Sequence, residues 1–250
     1  MCYTPTTMKN NPPFICATAK MQIIIAVLAT AVFMTSARAD WQEDYNGLLE
    51  KYVKSDGVKY KALKANGKDV AKLHAVTDEI ASETPSGSRG AKLAFYLNAY
   101  NAWILRAVID NYPMKSILDV KKDFFKTYPI KVSGENMSFD KLENEIIRKK
   151  YKEPRIHFAV NCASASCPPL HNAIFKAETL DADLTKLTKD FINSSTGVRV
   201  SGGKTEISRL FKWFKEDFGD ATTYINKYRT KKISGSIDYQ VYGWTLNESR

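Results

Sequence analysis

The sequence contains little of the residue types that mark specialised folds. Its 250 residues include only 4 cysteines, too few for a disulfide-dense scaffold. The 12 glycines and 9 prolines are too few for collagen or a low-complexity chain. No apolar run reaches the roughly twenty residues that a membrane-spanning helix needs. With 44% hydrophobic residues, the chain has the composition of a globular protein rather than a disordered one.

The N-terminal region has the pattern of a signal peptide. Lys20 precedes an apolar run at residues 21–34, which is about fourteen residues long and too short to span a bilayer. Ala37 and Ala39 follow it as a small-x-small cleavage signal. We therefore expect residues 1–39 to be a signal peptide that is cleaved after Ala39.

The segment before the apolar run is atypical of a signal peptide, because residues 1–19 contain three prolines and a single charged side chain. Met8 and Met21 are alternative translation starts. On any of these starts, residues 40–250 form the expected mature protein. We predict that it is periplasmic or secreted and has no membrane span after cleavage.

The chain is basic, with 37 Lys and Arg against 27 Asp and Glu, a formal charge of +10. Cleavage removes Lys9, Lys20 and Arg38 and no acidic residue, which lowers that charge from +10 to +7. The remaining excess is spread along the chain, and no aromatic-basic motif accompanies it. We therefore predict no specific nucleic-acid partner. The expected ligand is a small molecule, a peptide or an envelope polymer.

The periodicity of residues 40–250 predicts a single α+β domain. Its expected core is an apolar helix packed on a small, mostly antiparallel sheet. Ser138 is expected to cap a helix. The predicted helices are residues 41–53, 69–80, 91–111 (the central one), 139–150, 180–192, 210–218 and 221–228. The predicted strands are hairpins within 128–139 and 198–207, and a strand at 237–242.

Candidate chemistry is concentrated between residues 154 and 171. Residues 154–162 are predicted to form a strand, whose period of two places Arg155, His157 and Asn161 on one face. In this interpretation Arg155 binds an anionic group, His157 is the acid/base group and Asn161 orients the ligand. The alternative is a hydrogen-bonded structural His beside an ion-paired Arg.

Cys162 and Cys167 are the two cysteines left after cleavage, and three interpretations compete for them. The first is a disulfide, which an oxidising compartment and an even count favour. The second is a reactive thiol, with Cys167 the better nucleophile at a helix start and His157 or His171 as its base. The third is zinc bound by both cysteines and both histidines, although their spacing departs from the usual pattern.

Two asparagines interrupt the apolar surface of the predicted central helix. Asn98 and Asn101 are three residues apart, so they share a helix face. One interpretation is a structural network that ties the helix to a loop, since buried amides need partners. The other is that both residues line the same pocket as His157.

Several segments together resemble one known family, and they occur in its order: AFYLNAYNAWIL, YPMKSI, RIHFAVNCASASCPPL, LFKWFKEDF and YGWTLN. They resemble the family catalogued as domain of unknown function 547, over residues 45–247. The resemblance implies one fold unit, in bacteria often behind a signal peptide, and no established activity. Family members often carry Glu-His where this chain has Glu143-Asn144. Glu143 is therefore a candidate acid or orienting group.

Two functional classes follow from these candidates. The first is an exported Cys/His-dependent hydrolase or acyl-transfer enzyme, similar to papain-like or transglutaminase-like folds, with His157, Cys167, Cys162 and Glu143 as catalytic candidates. The second is a non-catalytic binding or scaffold module with a structural Cys162–Cys167 disulfide. No phosphate-binding glycine loop or Ser-centred elbow occurs, so we predict no cofactor.

Overall fold

Most of the predicted helices are present, with boundaries within a few residues of those expected. The computed structural model describes residues 40–249, so the predicted signal peptide at 1–39 lies outside the described residues. The α-helices of eight or more residues are α1 (Trp41–Tyr52), α3 (Gly67–Ser82), α4 (Arg89–Asn111), α8 (Leu180–Asn193) and α11 (Ala221–Tyr228). The shorter ones are α2 (Tyr60–Ala65), α5 (Phe124–Thr127), α6 (Phe139–Lys141), α7 (Lys149–Tyr151), α9 (Leu210–Trp213) and α10 (Lys215–Phe218).

The strands form three small sheets, mostly antiparallel. The strands are β1 (Val53–Lys54), β2 (Gly57–Val58), β3 (Ile130–Val132), β4 (Glu135–Met137), β5 (Val198–Ser201), β6 (Lys204–Ile207) and β7 (Ile237–Tyr239). The pairs β1–β2, β3–β4 and β5–β6 are hairpins, and β7 joins β6 in parallel. Both predicted hairpins and the late strand are confirmed, and the fold is α+β.

Helix α4 is the centre of the larger core. Ser88 caps it, with its Oγ accepting from the Ala91 backbone N–H, and fourteen of its residues are buried. Its main partners are α3 and the helix that begins at Phe139. The central helix is thus confirmed, but it packs chiefly on other helices rather than on a sheet. An apolar helix can be covered equally well by either kind of surface, which periodicity does not distinguish.

The helix between residues 139 and 151 changes its winding along its length. Ser138 caps it as predicted, since its Oγ accepts from the Lys141 backbone N–H. After α6, the segment Leu142–Arg148 is a π-helix, and α7 completes the element. π-helical turns are rare and are frequent at functional sites. This one carries Glu143.

The predicted strand at 154–162 is wrong, because Pro154–Phe158 forms a 3₁₀-helix. Pro154 occupies its first turn, where no backbone N–H is lost, and the Glu153 side chain accepts from the Arg155 N–H. These helix-start signals outweigh the alternation of apolar and polar residues. A 3₁₀-helix has three residues per turn, so Arg155 and His157 do not share a face.

This 3₁₀-helix lies between two hydrophobic cores. Ile156 belongs to the larger core around α4, whereas Phe158 belongs to a smaller one built from α8, β5–β7 and α9–α11. The chain leaves the helix directly into the Cys162–Cys167 loop, so both cores set the position of that loop. Among residues 40–249, the helices are all too short or too polar to cross a membrane.

The C-terminal segment holds the same loop from its other side. Its backbone pairs with the loop through Ala165 N–H to Thr245 O at 2.8 Å and Asn247 N–H to Ala163 O at 3.2 Å. It also reaches the N-terminal half, where the Val58 N–H donates to Asn247 O at 2.9 Å. Backbone hydrogen bonds from segments far apart in the sequence therefore hold the cysteine loop in place.

Candidate functional site

The loop at residues 162–167 is closed by its own cysteines. The Cys162 and Cys167 sulfur atoms lie at disulfide distance, with their Cα atoms 6.1 Å apart. Between them, fully buried Ala163 has φ of 57°, a left-handed conformation that residues other than glycine rarely adopt. Its surroundings must hold it there. The geometry therefore favours the disulfide among the three interpretations of the cysteines.

The other two interpretations need free sulfur atoms that this geometry does not supply. A bridged Cys167 cannot act as a thiolate nucleophile, and neither can Cys162. Zinc would need both thiolates together with His157, whose ring nitrogen is bonded to Asp217 instead. Within residues 40–249, no group of three or more His, Cys, Asp and Glu side chains is arranged to hold a metal ion.

His157 is sealed in the protein interior. Its side chain is 0% exposed, and its ring stacks on Phe214 with centroids 3.9 Å apart and touches Phe218. Its Nε2 lies 2.6 Å from Asp217 Oδ2. Since an ionised carboxylate only accepts hydrogen bonds, we assign the proton to Nε2. The ring is thus enclosed by other side chains, and the predicted acid/base role of His157 stays a prediction.

Burial favours the neutral form of His157. It lowers the pKa of His157, although Asp217 acts in the opposite direction. Among residues 40–249 the buried Nδ1 has no hydrogen-bond partner, so a second proton would create an unpaired buried donor. Asp217 also accepts from Arg148 Nε at 2.6 Å. The hydrogen bond from His157, together with that from Arg148, holds the pKa of Asp217 well below its usual range.

Arg155 is engaged by neighbouring side chains. It binds both carboxylate oxygens of Glu153, at 2.8 and 2.7 Å, through Nε and one terminal nitrogen. The terminal nitrogens also reach Asp181 Oδ1 at 2.8 Å and Thr185 Oγ1 at 2.7 Å. This bidentate pairing is the one expected for binding a ligand carboxylate, but here it ties the 3₁₀-helix to α8. It matches the alternative of an ion-paired structural Arg.

The three candidate asparagines bind backbone groups of the loops. Asn98 pairs with both the N–H and the C=O of Phe175, each at 2.9 Å. Asn101 donates to Ala159 O and accepts from the Asn161 N–H, each at 2.9 Å. The Asn161 side chain in turn donates to Pro168 O at 2.8 Å. All three are buried, so they act in the structural network that ties α4 to the loop.

A cleft with a volume of about 940 Å³ lies beside the loop, and Cys167 is one of its lining residues. Its floor is apolar, with Phe158, Leu187 and Phe191 contributing. Ser164 and Cys167 also line it, as expected for the loop. The predicted floor residues Arg155, His157 and Asn161 are not among its lining residues. The 3₁₀-helix directs Arg155 to Glu153 and Asp181 and His157 to Asp217, whereas Asn161, which follows the helix, binds the loop backbone.

Charged and polar side chains surround the mouth of this cleft. They come from the β1–β2 turn, the end of the loop, α8 and the C-terminal segment: Lys54, His171, Asn172, Lys186, Asp190 and Glu248. Both signs of charge are present, and Lys186 binds Asp190 at 2.6 Å. Burial lowers the pKa of His171, which favours its neutral form.

Glu143 is the catalytic candidate whose environment changes its chemistry most. It lies in the π-helical turn, partly buried, and accepts from the Tyr100 O–H at 3.1 Å. Burial raises the pKa of Glu143 to about 7, although Tyr100 and Arg148 act in the opposite direction. The protonated form of this carboxyl group, which can donate a hydrogen bond, thus persists to a higher pH than in an ordinary glutamate.

A comparison of the chain with known protein families supports the resemblance noted in its sequence motifs. The family described as "Protein of unknown function, DUF547" matches residues 85–192. The chain resembles this family. Curated proteins and solved structures give no match to the chain. The proposed likeness to papain-like or transglutaminase-like folds stays a prediction.

The region that matches DUF547 holds α4, Glu143 and the cysteine loop, but not every residue around them. Asp217 lies outside it, sixty residues after its partner His157. Sequence reasoning missed Asp217, because nothing local in LFKWFKEDF distinguishes it from Glu216. It also assigned no role to the C-terminal segment, although YGWTLN was among the motifs that resemble the family.

Proposed function

We propose that this is an exported cell-envelope protein that binds a peptide in the cleft beside the Cys162–Cys167 loop, rather than a Cys/His-dependent enzyme. The observation that carries the proposal is the cleft itself: about 940 Å³, with an apolar floor, a rim of both charges and a bridged cysteine in its wall. Ligand sites are typically concave, largely apolar clefts with a few polar groups that fix orientation.

The floor and rim together suit a peptide better than an anionic polymer. Phe158, Leu187 and Phe191 offer apolar contact for ligand side chains. The rim combines Lys54 and Lys186 with acidic groups, which complements the mixed donors, acceptors and charges of a peptide. A strongly anionic chain would meet those acids as well as the lysines, and like charges oppose binding.

The Cys/His enzyme is the second candidate, and the cleft retains only part of what it needs. His171 lies at the cleft and is neutral at physiological pH, so it could serve as a base. The nucleophile is missing while Cys167 is bridged to Cys162. A thiol count distinguishes the two candidates: the native protein is alkylated without reduction, and the peptide containing residues 162–167 is mapped. We expect both cysteines to be blocked, whereas an alkylated Cys167 would restore the enzyme.

Peptide binding is tested with fluorescein-labelled octapeptides of randomised sequence and fluorescence anisotropy. Asn172→Trp places a large side chain at an exposed position in the mouth of the cleft, and we expect it to reduce binding at least tenfold. The matched pair is Lys186→Glu, at the cleft, and Lys141→Glu, whose lysine also forms a surface ion pair but lies elsewhere. Only Lys186→Glu should change the measured binding of the peptides. Equal binding by all variants contradicts the proposal.

Export rests on the leader pattern at residues 1–39, and it is tested separately. N-terminal sequencing of the protein from its native host should begin at Asp40. A retained Met1 or Met21 on the purified native protein contradicts export by this signal.

A further inference from the structure

Aromatic side chains from two of the sequence motifs pack together away from the cleft. LFKWFKEDF contributes Trp213 and YGWTLN contributes Tyr242 and Trp244. The Tyr242 ring lies 4.7 Å from Trp213 and 4.8 Å from Trp244, and the two indoles are 6.1 Å apart and stacked. We define these three rings as the aromatic platform. None of the three residues lines the cleft.

The side chains of the platform are exposed to solvent, most of all Trp213. Trp213 is 46% exposed, which is unusual for an indole in a chain with two cores to fill. Tyr242 and Trp244 are partly exposed. Exposed aromatic groups that cluster mark binding surfaces more often than single exposed apolar residues do.

The platform is also held rigid from behind. The Tyr242 hydroxyl lies 3.2 Å from Cys162 Sγ and 3.3 Å from Ser164 Oγ, so the bridged loop supports it. Trp244 packs against Phe125, with centroids 6.2 Å apart. A surface fixed before binding loses little conformational entropy when a ligand arrives, which favours affinity.

Hydrogen-bonding groups lie within the same cluster. Burial, with a smaller contribution from the Glu143 carboxyl, raises the pKa of Tyr242 to about 12. Glu143 lies in the π-helical turn and is bonded to Tyr100. The cluster therefore combines flat aromatic faces with a carboxyl and a phenol.

We propose that the aromatic platform and Glu143 form a glycan-binding site, which takes an uncharged oligosaccharide. A sugar ring presents an apolar C–H face that stacks on indole and hydroxyl edges that pair with polar side chains, so it needs both features that the cluster supplies. This site is independent of the peptide cleft, and either could exist without the other.

Charge distinguishes a sugar from the other ligand that aromatic rings attract. A cation would bind the ring faces, but Lys212 and Lys215 flank Trp213 and the Arg148 guanidinium already lies 4.8 Å from the neighbouring Phe214 ring. Among the described residues, the cation–π contacts involve other aromatic rings than these three. This basic setting disfavours a cationic ligand and leaves a neutral one unaffected.

The test is isothermal titration of the full-length chain with chitotetraose, a soluble chain of N-acetylglucosamine. We expect saturable binding, a loss of at least tenfold in Trp213→Ala and partial recovery in Trp213→Tyr, which restores a ring. Trp103→Ala is the matched control, because Trp103 is also partly exposed but has no ring contact with the platform and bonds Lys131 O. It should bind as the wild type does. Circular dichroism checks that each variant is folded.

Three results overturn the site. The first is no heat of binding with chitotetraose at millimolar concentration. The second is equal binding by Trp213→Ala and the wild type. The third is saturable binding of tetramethylammonium that Trp213→Ala abolishes, which would make the platform a cation site.

Discussion

The clusters around His157 and Glu143 contain similar parts but differ in access to solvent. Each has a titratable side chain, a hydrogen-bonding partner and several aromatic rings. His157 is closed in by Phe214 and paired with Asp217, whereas Glu143 is partly open beside Tyr100. Burial disfavours the charged form of both groups. It therefore lowers the pKa of His157, away from neutrality, and raises that of Glu143 to about 7.

This difference reverses the usual expectation about the two residue types. Histidine is the side chain whose ordinary pKa lies nearest to neutrality, so it is the first acid/base candidate in a sequence. Here its burial makes it a structural residue. The carboxylic acid becomes the group that titrates near physiological pH, because burial acts on it in the opposite direction.

The largest expected effect tests whether His157 is structural. His157→Ala removes a ring that packs on Phe214 and leaves Asp217 with one partner fewer, so we expect a loss of about 2–4 kcal/mol in the free energy of unfolding. His74→Ala is the matched control. His74 Nε2 lies 2.7 Å from Asp110 Oδ1, close to the 2.6 Å between His157 and Asp217, but the His74 side chain is 37% exposed. It should lose less than about 1 kcal/mol. Urea denaturation measures both, and similar losses would break the comparison.

The next effect concerns the Cys162–Cys167 loop, which contacts Tyr242 of the aromatic platform. Cys162→Ala with Cys167→Ala removes a bridge across a short loop, which by chain entropy stabilises the fold by about 2 kcal/mol. Urea denaturation of the wild type with and without reductant should give a similar difference. If reductant has no effect while the native thiols are blocked, the bridge does not stabilise the folded state.

A smaller effect is the pH dependence that Glu143 gives to the free energy of unfolding. A carboxyl whose pKa is raised in the folded state stabilises it below the unfolded value of 4.5, and that contribution is lost as the pH rises towards 7. Glu143→Gln cannot ionise, so its stability relative to the wild type should increase between pH 4.5 and pH 8. The shift from 4.5 to about 7 corresponds to at most about 3 kcal/mol, and the partial solvent access of Glu143 reduces the expected increase to about 1–2 kcal/mol. Unfolding free energies measured across this range decide it. Parallel curves for the two proteins would mean that Glu143 titrates normally.

The smallest expected effect is on the exposed indole. Trp213→Ala should lower the free energy of unfolding by less than about 1 kcal/mol, because Trp213 is 46% exposed and its ring contacts are with Tyr242 and Trp244 at the surface. Thermal melts followed by circular dichroism measure this. A loss of several kcal/mol would show that the platform stabilises the fold instead of forming an accessible surface. The contrast in solvent access between the His157 and Glu143 clusters would then be wrong.

Much of the fold could be predicted because its signals are local. The period of 3.6 residues marks α4, and Tyr112-Pro113 marks its end. Ser133-Gly134 marks the turn between β3 and β4, and Ser138 marks the next helix start. Where two local signals conflicted, at residues 154–158, Pro154 and its Glu153 cap outweighed the alternation that predicted a strand.

The sequence by itself determined the elements, the α+β class and the candidates at the cysteine loop, because these depend on neighbours within a few residues. Only the tertiary structure decided what the candidates do. Asp217, which is bonded to His157, lies sixty residues after it in the sequence. Trp213 and Tyr242 likewise come together from two separate segments. Burial, which sets both pKa shifts, is a property of the packed chain as a whole, so no local pattern contains it.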